Sequence, residues 1–229
     1  MASAKFGNII VDMRGKINGN VYSKNKGGAY VRTRVKPSNP RSTFQTAVRA
    51  TLTAFSQAWK ALTATQIAGW NQGAINFPKS NRVGDRHIIN GNSLYVSLNK
   101  NLADVGLSGI SDCPAPASVD TVAVSTAVAD NSSQSLVITL GGAIPANTSI
   151  KVFTSGTVSA GVNSIGTKLR QVSSFNTGHA AALTLTTAYL ARFGSIGAAG
   201  SKIFYKIVPV NETTGQAGAA ISGEIIIQA

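Results

Sequence analysis

Lys202-Ile203-Phe204-Tyr205-Lys206-Ile207-Val208-Pro209-Val210 carries Ile203, Tyr205 and Ile207 at every second position. Side chains on a strand point alternately to its two faces, so this spacing predicts a half-buried β-strand over 202–210. The same alternation recurs outward from it, in 134–140 (Leu136, Ile138, Leu140), 149–154 (Ile150, Val152), 181–186 (Leu183, Leu185) and 120–127 (Val122, Val124). Further strands are expected at 168–173 and 221–228, and a helical turn over Thr187 to Phe193. Seven short strands in about 110 residues predict an Ig-like or fibronectin-III-like antiparallel β-sandwich over 119–229. Cys113 is the only cysteine, so the inter-sheet disulfide of antibody domains is excluded, as is a Cys-based zinc site.

Upstream, the apolar period lengthens. Pro37 and Pro40 end an extended segment, and Ser42-Thr43-Phe44-Gln45 has the capping-box form, with Ser42 as N-cap. Behind it Phe44, Val48, Leu52, Phe55, Trp59 and Leu62 form one apolar stripe, which predicts a helix of about six turns. A second box, Thr63-Ala64-Thr65-Gln66, opens a short helix carrying Ile67 and Trp70, expected to fold back on the first as a helical hairpin. A loop from Gly73 to Gly91 holds Pro78 and the charged set Lys79, Arg82, Asp85 and Arg86. A third helix is expected from about Asn92 to Asp104, with Leu94, Tyr95, Leu98 and Leu102 inward and Gly106 as its stop. Residues 37–106 therefore read as a helical anchor region, and 107–118, with Gly109, Pro114 and Pro116, as a linker.

Residues 1–36 read as an extended arm. Glycines at 7, 15, 19, 27 and 28 punctuate short apolar pieces such as Ile9-Ile10-Val11. Asn20 to Ser23, the turn Lys24-Asn25-Lys26-Gly27-Gly28 and Ala29 to Lys36 predict a β-hairpin. In its second strand Ala29, Val31, Thr33 and Val35 share one face, and Tyr30, Arg32, Arg34 and Lys36 the other. Such an arm is too thin to bury its own apolar residues and is expected to dock on a partner, often a symmetry copy. The whole chain is expected to be α+β and in two parts.

Charge separates the same two parts. The formal net charge is +13, and residues 1–100 hold fifteen Lys or Arg against only Asp12 and Asp85. Residues 101–229 hold six of each sign. A cationic half implies an acidic counterpart: nucleic acid, an anionic membrane surface or an acidic protein face. No apolar run approaches the roughly 18–20 residues that cross a bilayer, and no membrane partner is expected. Met-Ala-Ser-Ala-Lys-Phe-Gly lacks the apolar core of a secretory signal, so the sequons at Asn131, Asn147 and Asn211 read as chance matches.

Catalysis finds little support. His87 and His179 stand one in each half, away from any carboxylate or cysteine that would complete a site. The acidic residues are scattered, without the spacing of paired carboxylates. Gly194-Ser195-Ile196-Gly197-Ala198-Ala199-Gly200-Ser201-Lys202 lacks the Gly-Lys-Ser/Thr order of a phosphate loop and runs into a strand, so it reads as a turn. No enzyme activity and no cofactor are expected. The stronger signal is the cationic face of Tyr30, Arg32, Arg34 and Lys36 with Arg41 and Arg49 following, which suits a phosphate backbone or the acidic face of a neighbouring protein.

Gly15-Lys16-Ile17-Asn18-Gly19-Asn20-Val21, Val31-Arg32, and Asn39-Pro40-Arg41-Ser42 with Gln45 and Arg49 form a recognisable pattern. Trp59-Lys60-Ala61-Leu62-Thr63 with Gln66 and Trp70 continues it, as do Phe193-Gly194, Gly200-Ser201-Lys202-Ile203-Phe204 and Asn211-Glu212-Thr213-Thr214-Gly215-Gln216. The pattern resembles a family of poorly characterised structural proteins of tailed bacteriophages and prophages. That resemblance implies a virion component made in the host bacterial cytoplasm: capsid-associated, at the head–tail connector, or in the tail. It implies capsid, portal or tail subunits as partners, a homo-oligomer in the particle, and no catalytic residue. The alternatives are an architectural protein contacting packaged DNA, and a surface adhesion module.

Overall fold

The computed structural model describes residues 2–7, 10–81 and 83–229. Ile9 of the short apolar piece and Arg82 of the charged set lie outside the described residues. The chain is mixed α+β and forms two compact units, Met1–Ser97 with Ser111–Ala115, and Leu98–Ile110 with Pro116–Ala229.

The first unit begins with a four-stranded antiparallel sheet. Strands β1 (Ala2–Ala4), β2 (Gly15–Ile17), β3 (Asn20–Asn25) and β4 (Gly28–Thr33) run in the order β1-β4-β3-β2. The hairpin expected at residues 20–36 is β3–β4, and its neighbours in sequence add a strand on either side. One correction concerns its length: β4 stops at Thr33 and leaves Arg34, Val35 and Lys36 outside the alternation. Asn20, paired with Thr33, is the first residue of β3, so the partner strand is used up there. The Arg34 amide closes the end by donating to Gly19 O at 2.7 Å.

Helix α1 (Thr43–Ala61) starts where Ser42 accepts from the Gln45 amide at 3.4 Å. Helix α2 (Ala64–Gly73) has the complete reciprocal box: Gln66 N–H donates to Thr63 Oγ1 at 3.3 Å and Thr63 N–H to Gln66 Oε1 at 3.0 Å. A two-residue ladder joins β5 (Lys79–Ser80) to β6 (Arg86–His87). Tyr95 of helix α3 (Gly91–Asp104) receives both indoles: Trp59 of α1 at 5.5 Å and Trp70 of α2 edge-on at 5.2 Å. A β-carbon on Gly91 would lie 2.8 Å from the Asn71 amide nitrogen, so the bare glycine is what lets α3 start against α2. The apolar stripe of α1 is only partly used. Phe55, Trp59 and Leu62 are half-buried, whereas Phe44, Val48 and Leu52 are 63%, 61% and 54% exposed.

In the second unit Leu98 and Leu102 are buried as expected, and the turn at Gly106 ends α3 with Leu107 N–H donating to Leu102 O at 2.9 Å. Seven strands follow: β7 (Val124–Asp130), β8 (Ser135–Leu140), β9 (Thr148–Thr154), β10 (Arg170–Phe175), β11 (Ala182–Thr184), β12 (Lys202–Asn211) and β13 (Ile221–Gln228). Helix α4 (Thr186–Phe193) occupies the helical turn expected between the last strands. All seven expected strands are found, although the first begins at Val124 and not 120; Val122 is buried without being paired. They form one curled sheet in the order β10-β9-β12-β13-β7-β8-β11. Strand β13 is the joint, antiparallel to β12 over Ile221–Ile226 and parallel to β7 at Ile227 and Gln228. The curl lets Leu136, Ile138 and Leu183 from one end of the order share a core with Ile150, Ile203 and Ile207 from the other.

Lys151 on β9 breaks the apolar rule, with its side chain only 8% exposed. Its ammonium donates to Asn101 Oδ1 at 2.8 Å and lies 3.6 Å from Asp104 Oδ2, while Gln171 Nε2 donates to Asp104 O at 3.1 Å. These bonds tie the end of α3 to the sheet. Burial pushes the Lys151 pKa down, and the Asp104 carboxylate only partly opposes it. The folded chain then binds fewer protons than the unfolded chain between the lowered value and the ordinary one, so stability from this group rises with pH across that window. Taking the chain from about pH 8 towards the ordinary lysine value of about 10.4 is expected to stabilise it relative to Lys151→Met. Urea midpoints of the two chains that move in parallel with pH would contradict this.

Candidate functional site

The β3–β4 turn is set by Asn25, whose Oδ1 accepts from Gly27 N–H at 2.9 Å. The register then opposes Val21 to Arg32 and Ser23 to Tyr30, with Lys16 of β2 beside Val21. Directly opposed residues of an antiparallel pair project from the same face, so Lys16, Val21, Tyr30 and Arg32 share one. Val21 is buried there, and the cations on either side of it are exposed.

Past Thr33 the chain has no regular secondary structure until α1 begins at Thr43, and every residue from Arg32 to Ala50 is exposed. Arg34 and Lys36 lie in that segment. Arg41 adopts a left-handed φ of 50° just before the helix cap. Arg49, two turns into α1, donates to Asn39 Oδ1 at 2.8 Å and so fastens the segment to the helix. The first turn of α1 contains no acidic residue, although the amide dipoles there favour negative charge. Among the described residues no carboxylate is ion-paired to Arg32, Arg34, Lys36, Arg41 or Arg49. The six sequence-picked residues therefore run as a ribbon from 30 to 49: Tyr30 and Arg32 on a strand, Arg34 and Lys36 on a link, Arg41 and Arg49 at the helix start. Such a ribbon can bind an extended acidic surface by charge, without converging on a reacting group.

Sequence reasoning missed what the hairpin turn leans on. Asn81 Nδ2 donates to Gly27 O at 2.8 Å, and Asn81 Oδ1 accepts from the amides of Val83 and Asp85. Lys5 donates to Asp85 at 3.0 Å, and that bond, with help from Asn81, holds the Asp85 carboxyl below its usual range. Tyr30, Asn25, Ser80, Asn81 and His87 line a cavity of about 320 Å³ here, with His87 Nδ1 buried and without a hydrogen bond. The Asn81-to-Asp85 spacing around Gly84 was the one local hint. His179 is a surface residue of the other unit, its Nδ1 2.8 Å from Ala180 O and its ring against Phe175.

Among the described residues no group of three or more His, Cys, Asp or Glu is placed to hold a metal ion. No helix among them is long and apolar enough to cross a membrane. No protein-family model matches the sequence, and comparison with curated proteins gives no match.

Proposed function

We propose that this chain is a structural component of a tailed-bacteriophage virion that acts through assembly. Its basic N-terminal part docks on neighbouring subunits, and its C-terminal part braces or projects. The carrying observation is the ribbon of exposed cations, Arg32, Arg34, Lys36, Arg41 and Arg49, to which no carboxylate among the described residues is ion-paired. Exposed like charges repel one another and favour contact with an acidic surface. The resemblance of its Asn39-Pro40-Arg41-Ser42 and Trp59-to-Trp70 patterns to phage structural proteins supports the same reading. Obligate contacts of this kind bury well over about 2,000 Å².

The C-terminal unit is proposed to be a fibronectin-III-like sandwich. Two features support it: the strand series splits naturally into β11-β8-β7 and β10-β9-β12-β13, and apolar residues of both groups share one core.

Replacing Arg32, Arg34 and Lys36 together by Glu is expected to remove the chain from particles, measured as its abundance in purified virions. Normal incorporation would sink the reading. Duplex DNA binding that falls steeply with salt, with the chain outside particles, would instead favour the architectural DNA-binding alternative.

A further inference from the structure

We propose that the N-terminal half of α1 docks an acidic protein other than a second copy of this chain, one offering apolar side chains rimmed by Asp and Glu. Val48 and Leu52 lie one helical turn apart on a single face and are 61% and 54% exposed. Residues 42–50 are all exposed, so this end of α1 gains less from burial than the end that carries the half-buried Phe55 and Trp59. Leu52 also opens onto a cleft of about 350 Å³ between α1 and α3, walled by Ser56, Asn92, Ser93, Val96 and Ser97. A partner's apolar side chain entering that cleft would cover Leu52 and give the projecting turns the burial they lack.

Charge selects the partner. Residues 13–84 contain twelve Lys or Arg and neither Asp nor Glu, and Arg41 and Arg49 flank the exposed turns. A two-fold contact would set these arginines against their own copies. A second copy also has little acid to offer elsewhere. Asp12, Asp85, Asp104 and Glu224 are ion-paired within the chain. Asp112, Asp130 and Glu212 accept hydrogen bonds from neutral groups and keep their charge, so with Asp120 a copy offers four carboxylates, all outside residues 13–84, against a net charge of +13. A lipid surface fits poorly: helices that lie on anionic membranes carry a polar face rich in Lys and Arg. Arg49 and Lys60 are the only cations in the nineteen residues of α1.

The inference rests on the assembly reading only in taking the partner to be a protein. It is tested on the full chain with two synthetic peptides of about three heptads sharing one Leu seam, one flanked by Glu and one by Lys, using fluorescence anisotropy. The Glu peptide is expected to bind about tenfold or more tighter than the Lys peptide. Val48→Asp with Leu52→Asp is expected to abolish that binding, while Ala50→Asp with Ala54→Asp, on the opposite face, leaves it in place. Arg41→Glu with Arg49→Glu is expected to reverse the preference between the peptides, which misfolding does not produce. Equal binding of the two peptides, or none up to about 1 mM, overturns the proposal. So does self-association in the ultracentrifuge, or binding to phosphatidylglycerol vesicles, that the Val48/Leu52 variant abolishes. If the peptide preference holds while particle incorporation is unaffected by the Arg32/Arg34/Lys36 reversal, the docking surface stands and the virion reading falls.

Discussion

Gly215→Ala is expected to destabilise the second unit by about 2–5 kcal/mol, through left-handed backbone strain and a backbone clash acting together. Gly215 has φ +71°, and a β-carbon there would lie 2.4 Å from Leu98 O and 2.9 Å from Leu98 C. Those are main-chain atoms of α3, so no rotamer change relieves the contact. The turn around it is tightly bonded. Asn211 Oδ1 accepts from the amides of Thr213 and Thr214 at 3.0 Å each, Gly215 N–H donates to Asn211 O at 2.9 Å, and Asn101 Nδ2 donates to Gly215 O at 2.8 Å. The Asn211-to-Gln216 motif is thus the seat for the end of α3. Gly200→Ala isolates the strain: φ is +82° there, but nothing lies within 4 Å of the added carbon, so a cost of only about 1–2 kcal/mol is expected. Urea unfolding of the two variants compares them. Equal losses would mean that α3 does not need the close approach.

Trp70→Ala is expected to cost about 3–5 kcal/mol and to open the first unit. Trp70 is fully buried, stands edge-on to Tyr95, and donates from Nε1 to Ser111 O at 2.7 Å. Val21, Trp70, Ala74, Leu94 and Tyr95 are the buried apolar residues of that unit among those described, so the indole is its largest core element. Its loss leaves a cavity beside Tyr95 and strands a carbonyl, which costs a further amount on the order of 1–3 kcal/mol if no water reaches it. Trypsin reads the outcome directly. Residues 1–97 with 111–115 hold fourteen Lys or Arg, and cleavage among them is expected to accelerate while β7–β13 stays protected. An unchanged digestion pattern would contradict the assignment of Trp70 as the centre of this small core.

Much of the secondary structure was legible because it is local. Alternation at Leu136, Ile138 and Leu140, or at Ile203, Tyr205 and Ile207, needs only the two-residue period of a strand, and all six side chains are buried. Caps are equally local: Thr63 and Gln66 satisfy each other within one turn. The cationic residues were legible as a set, whereas their arrangement was not. Arg34 and Lys36 leave the strand because β3 begins only at Asn20, a limit set by pairing and invisible in the alternation. The hydrogen bond from Asn81 to Gly27 O in the β3–β4 turn joins residues 54 positions apart, and no periodicity carries that information.

The sequence by itself determined the seven strands, the three helices after the arm, and the concentration of positive charge before residue 100. Each follows from residue chemistry repeated at short range. Tertiary structure alone decided which apolar residues found a core. Leu62 and Val48 belong to one stripe, yet Leu62 is half-buried and Trp59 packs on Tyr95, while Val48 and Leu52 stay in solvent. It also decided that seven strands close as one curled sheet, through the parallel pairing of Ile227 with Ala129. Burial and strand pairing depend on what lies across from a residue, and that neighbour is distant in the chain.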